Sequence, residues 1–258
     1  MSTPPTTVPA RGRRAPWRFG AIVGFTIRSC IGPKRWLGCL LPSLGAILFG
    51  LLARGLDEPP LEAFVRVAST GVFGLTLPIA ALVIGDAVFG AEIRSGVFHY
   101  TWMTPAPLTT IVLGRWLGGW LVALVTIVPA TAIAALVAGV PRAVGPAAIG
   151  AAAGSGAYIA VFIAIGCIAR RAAVWSLAFV FLVERLLGAA LNGIAQLSPG
   201  WEARAIFTGL LRDVPANLVR KGIPTGGSGI VRLEVVTIVA LVIARLSLHR
   251  LSLSGASD

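Results

Sequence analysis

Residues 36–53 read WLGCLLPSLGAILFGLLA, eighteen positions without a charge, closed in by Lys34 and Arg35 before and Arg54 after. A bilayer core about 30 Å thick needs roughly 20 apolar residues per helical crossing. A surface helix of a soluble domain would interrupt such a run with a polar face. The stretch therefore predicts a membrane span. Residues 67–85, VASTGVFGLTLPIAALVIG, repeat the pattern between Arg66 and Asp86. Of the 258 residues 56% are hydrophobic and 12% charged, where a soluble domain carries about 25% charged. These features predict an all-α integral membrane protein built as one polytopic domain.

Four further apolar stretches bring the expected count to six. Residues 116–140 follow Arg115 and contain Trp120, placed to anchor at the headgroups. Residues 143–169 carry Gly150, Gly154 and Gly156, which permit close helix approach and predict a span packed inside. Residues 172–197 hold Glu184 and Arg185 at their middle. Residues 230–248 keep only ten uncharged positions between Glu234 and Arg245, and cross with snorkelling at both ends. Without that last span the count is five and the C-terminus changes side.

Basic residues set the expected orientation. The chain has 22 Lys and Arg against 10 Asp and Glu, a net charge of +12. In a membrane protein such an excess meets anionic lipid on the cytoplasmic side and gives no reason to invoke nucleic acid. With six spans, Arg11, Arg13, Arg14, Arg18, Arg28, Lys34, Arg35, Arg94, Arg115, Arg170, Arg171, Arg245 and Arg250 share one side. The other side receives Arg54, Arg66, Arg142, Arg204, Arg212, Arg220, Lys221 and Arg232. Both termini are thus expected in the cytoplasm, with the chain multi-pass in the inner (plasma) membrane.

Residues 1–35 form a basic cytosolic segment: a tail rich in Pro, Thr and Arg, then an amphipathic stretch over 17–31. The tail lacks the apolar run and cleavage site of a signal peptide. In the stretch, Arg14, Arg18, Arg28 and Arg35 share one helical face, and Trp17, Phe19, Val23, Ile27 and Ile31 the other. An interfacial helix on the cytosolic leaflet is expected; a tilted first span starting early is the alternative. The loop 198–229 places Ile206, Phe207, Leu210, Leu211, Val214 and Leu218 at helical spacing, which predicts short amphipathic helices lying at or dipping into the outer leaflet, with a surface loop resting on lipid as the alternative. Cys30, Cys39 and Cys167 have no paired spacing, and His99 and His249 lie far from them, so neither a disulfide framework nor a metal site is predicted.

The connection 86–115 carries the identity: DAVFGAEIRSGVFHYTWMTPAPLTTIVLGR. An acid is followed by a small-residue break, aromatic residues, a Thr-Pro turn, and a helix returning to the membrane. This arrangement resembles the permease subunits of type-2 ABC exporters. In that family the first cytoplasmic loop has an acid followed by Gly-Thr, a Leu-rich run, a Pro, and a later Gly-Lys or Gly-Arg. Glu92 takes the acidic position, Gly96 the Gly, Pro105 the Pro, and Gly114 with Arg115 the final pair. Val97 stands where Thr is usual, and Phe98, His99, Tyr100 and Trp102 replace the aliphatic run.

The resemblance implies a coupling helix in the loop, with Glu92, Arg94, Gly96, Phe98, Tyr100, Trp102 and Pro105 facing an ABC ATPase subunit. The alternative is that these aromatics form a membrane-interface belt. It further implies two ATPase copies, a second permease, identical or homologous, and a substrate path between the permeases near Glu184 and Arg185. No Gly-x-x-x-x-Gly-Lys-Ser/Thr sequence occurs, so the chain is not expected to be an enzyme: ATP and Mg²⁺ belong to the partner, with no cofactor in this chain. An intramembrane charge costs a few kcal/mol, which marks Glu184 and Arg185 either as part of that path or as a structural ion pair to another span. The gly- and ala-rich path fits an amphipathic drug, lipid or hydrophobic peptide. An ion- or proton-coupled secondary transporter is the competing function, with Glu184 and Asp86 as its available acids. A membrane-embedded enzyme lacks any recognisable motif.

Overall fold

A computed structural model describes residues 16–32, 35–90, 106–169, 171–182, 198–211 and 226–254. Among these residues the ordered elements are all helices: α1 (Pro16–Cys30), α2 (Arg35–Arg54), α3 (Pro60–Gly90), α4 (Leu108–Val137), α5 (Val144–Ile168), α6 (Ala172–Leu182), α7 (Pro199–Leu210) and α8 (Gly226–Ser254). Among the described residues four stretches are long and apolar enough to cross a membrane: α2, α3, α4, and α5 with the turn Pro141–Ala143 that precedes it. Four long apolar helices make the chain compatible with a multi-pass membrane protein.

The distribution of side chains around α2 is inverted relative to a soluble helix. Its buried positions are the small residues Cys39, Ser43, Ala46, Gly50 and Ala53. Its outward positions are leucines, with Leu41 72% and Leu48 63% exposed. Water would penalise each exposed leucine by about 1.5–3 kcal/mol; lipid does not. Inside, small residues let backbones touch: a methyl on Gly50 would overlap the backbone of Ala134 in α4. The same logic governs α8, which turns Val231, Val235, Ile238 and Leu246 outward and Ala240, Ala244 and Leu248 inward. At 29 residues α8 is about 43 Å long, with charges gathered near its two ends.

The centre of the bundle is α5, which packs against α3, α4, α6, α7 and α8. Its glycines act as expected. Two tryptophans of α4, stacked 5.5 Å apart, donate their indole N–H groups into it: Trp116 to the Gly156 carbonyl and Trp120 to the Ala152 carbonyl, both 2.9 Å. Trp120, expected as a headgroup anchor, instead spends its N–H on helix pairing.

Two boundaries differ from the sequence reading, each because a charge has a local solution. Residues 60–66 are helical rather than loop, since Leu61, Ala63, Phe64 and Val65 face inward while Arg66 pairs with Glu58 at 2.8 Å in the exposed rim. Helix α4 starts at Leu108, and Arg115 lies inside it rather than ahead of it. In α3, residues Ala68–Thr76 and Asp86–Gly90 are wound as π-helix. Within the first of these Gly71 receives the Phe49 ring, which a methyl at 71 would strike at 2.6 Å.

Candidate functional site

The residues singled out for coupling, Glu92, Arg94, Gly96, Phe98, Tyr100, Trp102 and Pro105, lie outside the described residues, as do Glu184 and Arg185. What is described is the frame on either side of the 91–105 segment. There α1 lies across the start of α4. A methyl on Gly114 would meet Ile22 at 2.9 Å, and one on Gly118 would meet Thr26 at 2.7 Å, so the Gly114/Gly118 groove seats α1. Thr26 and Cys30 are buried on that face while Phe25 and Ile31 point outward. The amphipathic stretch thus turns one stripe to the bundle and leaves its other side exposed.

Arg115 closes this corner. Its guanidinium donates to the Val88 carbonyl at 2.7 Å and lies over the rings of Phe89, at 4.8 Å, and Phe25, at 5.5 Å. The π-wound end of α3 supplies the carbonyl, α1 supplies one ring, and α4 supplies the cation. A buried cation is tolerable only with such partners. The sequence motif places Gly114 and Arg115 side by side; in the fold Gly114 admits α1 and Arg115 binds it to the end of α3. Beside it, burial pushes the Cys30 thiol up to about 11.

A second polar centre was not legible in the sequence. Helix α7 is twelve residues long, yet Ala203, Ala205, Ile206 and Phe207 are completely buried. It is inserted between helices rather than resting on their surface, which sharpens the expectation of amphipathic helices at the leaflet. Ser198 caps it by accepting from the Trp201 N–H at 3.3 Å, and Pro199 opens its first turn. Ala203 presses on the socket formed by Gly150 and Gly154 of α5, and Phe207 stacks on Phe73 at 5.0 Å and meets Phe64 edge-on at 5.9 Å.

This insertion carries Glu202 into the interior with 0% exposure. Its Oε1 lies 3.5 Å from Arg232 of α8, whose side chain is 44% exposed. Its Oε2 has no hydrogen-bond partner among the described residues. Burial pushes the Glu202 carboxyl above the usual range, with the Arg232 charge opposing. An acid in the first turn of a helix reads in sequence as complementing the helix dipole, so nothing marked Glu202 as buried.

On the opposite flank an open apolar groove of about 600 Å³ is lined by Ile165, Ile168, Ala169, Trp175, Ala178, Phe179 and Leu182. Among the described residues no group of three His, Cys, Asp or Glu side chains could hold a metal ion. No known protein-family profile matches the chain, and no curated protein matches it in sequence.

Proposed function

We propose that this chain is the transmembrane permease subunit of an ATP-driven exporter of the type-2 ABC class. The loop pattern from Glu92 to Arg115 carries the reading. In this account the chain crosses six times, with residues 172–197 as the fifth span and 230–248 as the sixth, and both termini are in the cytoplasm of a cell with the protein in its inner membrane. ATP and Mg²⁺ are handled by two copies of a separate ATPase subunit. A second permease, identical or homologous, completes the path near Glu184 and Arg185. Its substrate is amphipathic or hydrophobic: a drug, a lipid or a peptide.

Three features support this reading. The basic amphipathic helix α1 is seated beside the start of α4 by the Gly114/Gly118 groove. Arg115 ties the two ends of the coupling segment together, so a force on that segment reaches α1, α3 and α4 at once. A short helix inserted just before the last long one occupies the place where this class carries its external re-entrant helices. An ion- or proton-coupled carrier is the second reading, favoured by the buried acid Glu202; it requires transport in an ion gradient without ATP.

The coupling assignment is tested with Gly96→Asp and Phe98→Asp. Each is expected to abolish association with a co-expressed ATPase while the permease still inserts and folds. Failure of membrane insertion with either variant would instead favour an interface belt and refute the docking role.

A further inference from the structure

The carboxyl of Glu202 has no part in the ATP-driven reading, and its surroundings are those of a group whose charge is poorly compensated. Arg232 touches it at 3.5 Å, the outer limit of an ion-pair hydrogen bond, and is itself 44% exposed, so much of its field goes into solvent. The backbone of α8 closes over the other oxygen: a Cβ on Gly229 would lie 3.3 Å from Oε2. No side chain could be added there without disturbing the carboxyl, so Gly229 is the residue that lets α8 sit this close. A carboxylate sealed in this way loses its hydration and receives little in exchange.

We propose that Glu202 is a proton-controlled latch between α7 and α8. It takes up a proton from water as the two helices close over it, and returns that proton to water when α7 loosens and the carboxylate is exposed.

The groups around it fix the direction. From α8 come Arg232 and the exposed Glu234; from α5 the titratable side chains are Tyr158, stacked on Phe162, and Cys167 near the far end. The Ala68–Thr76 stretch of α3 contributes none, and on α7 itself Arg204 lies over Trp201 at 4.8 Å. The charge that acts on Glu202 is that of Arg232, and it opposes the larger effect of burial. The closed form therefore holds its proton more tightly than the open form. Closure is favoured fully below the ordinary carboxylate range and loses that advantage as pH rises through the raised value. Each pH unit separating the two forms changes the open-to-closed ratio tenfold. The latch goes beyond the transport reading and does not depend on what drives transport, because its readout is conformational.

The test uses Thr208→Cys, a near-isosteric change on α7 at a side chain 5% exposed, in the full chain held in lipid nanodiscs. Maleimide labelling at position 208 is read by peptide mass from about pH 5 to 9, and each rate is divided by the rate in the same protein carrying Glu202→Gln. The division cancels thiol ionisation. The ratio is expected to rise toward the alkaline end, tenfold for each pH unit by which closure raises the carboxyl. Arg232→Gln, which removes the opposing cation, is expected to move the midpoint to higher pH. Hydrogen exchange of the 199–210 peptide in the unmutated chain, corrected for its intrinsic pH dependence, is expected to speed up over the same interval. A flat labelling ratio, a midpoint that Arg232→Gln leaves in place or lowers, or corrected exchange independent of pH would each overturn the latch.

Discussion

Replacing Gly154 by alanine sets two physical effects against each other, and the fold says which wins. In the middle of a helix, Gly→Ala alone favours folding by up to about 1 kcal/mol. At this position the new methyl would lie 2.6 Å from the Ala203 Cβ and 2.9 Å from a Leu77 terminal carbon. Ordinary carbon contacts are about 3.5–4.0 Å. The Leu77 end can rotate aside. The Ala203 Cβ is fixed to the backbone of α7, so α7 must retreat by about 1 Å, and overpacking of this kind costs about 1–3 kcal/mol. The balance is a destabilisation of about 1–2 kcal/mol, a five- to thirtyfold shift in the folded population. Ala203→Gly in the same chain removes the collision but itself costs up to about 1 kcal/mol inside α7, so it is expected to cost less beside Gly154→Ala than it does alone. Denaturant titration in mixed micelles, followed by tryptophan fluorescence, measures both variants. If Gly154→Ala is as stable as the parent or more so, or if the two changes are simply additive, the insertion of α7 into the α5 socket is refuted.

Other consequences concern the membrane and the Arg115 corner. Leu44→Asp changes an outward residue that is 56% exposed, yet in a bilayer it is expected to cost about 2.5–3.5 kcal/mol and to lower membrane insertion; unchanged insertion and greater solubility would contradict a lipid-facing α2. Arg115→Met leaves the Val88 carbonyl buried without its donor and removes two ring contacts, so the denaturation midpoint is expected to fall by the equivalent of about 2–4 kcal/mol. Cys30, with its thiol pushed up to about 11, is about one part in a thousand ionised at pH 8. Its alkylation in the folded chain, followed by mass, is therefore expected to lag that of an exposed cysteine by at least a hundredfold.

Composition made α2 and α5 legible, because a long uncharged run and a glycine-rich face each have one economical burial. What the sequence hid were groups whose meaning depends on a distant partner. Arg115 looks like the end of a span until Val88, Phe89 and Phe25 are seen around it. Trp120 has the chemistry of a headgroup anchor, and the Ala152 carbonyl on another helix decides otherwise. Glu62 and Arg66 make residues 60–66 look like loop, although the residues between them line the interior. Glu202 is the clearest case: a first-turn acid is ordinary on any helix, and only the glycine socket at 150 and 154, in another element far back along the chain, draws it into the core. Local pattern records a residue's own preferences, whereas these four positions are decided by packing between elements far apart in the chain.

On the proposed reading this chain borrows its energy source from another polypeptide. Co-expression with a candidate ATP-binding subunit, purification through a tag on this chain alone, and measurement of ATP turnover in proteoliposomes test that directly. The account predicts a stable complex in which two permease chains accompany two ATPase chains, with turnover that the ATPase in isolation lacks. A chain that never retains an ATPase, yet moves substrate when only an ion gradient is supplied, would contradict it.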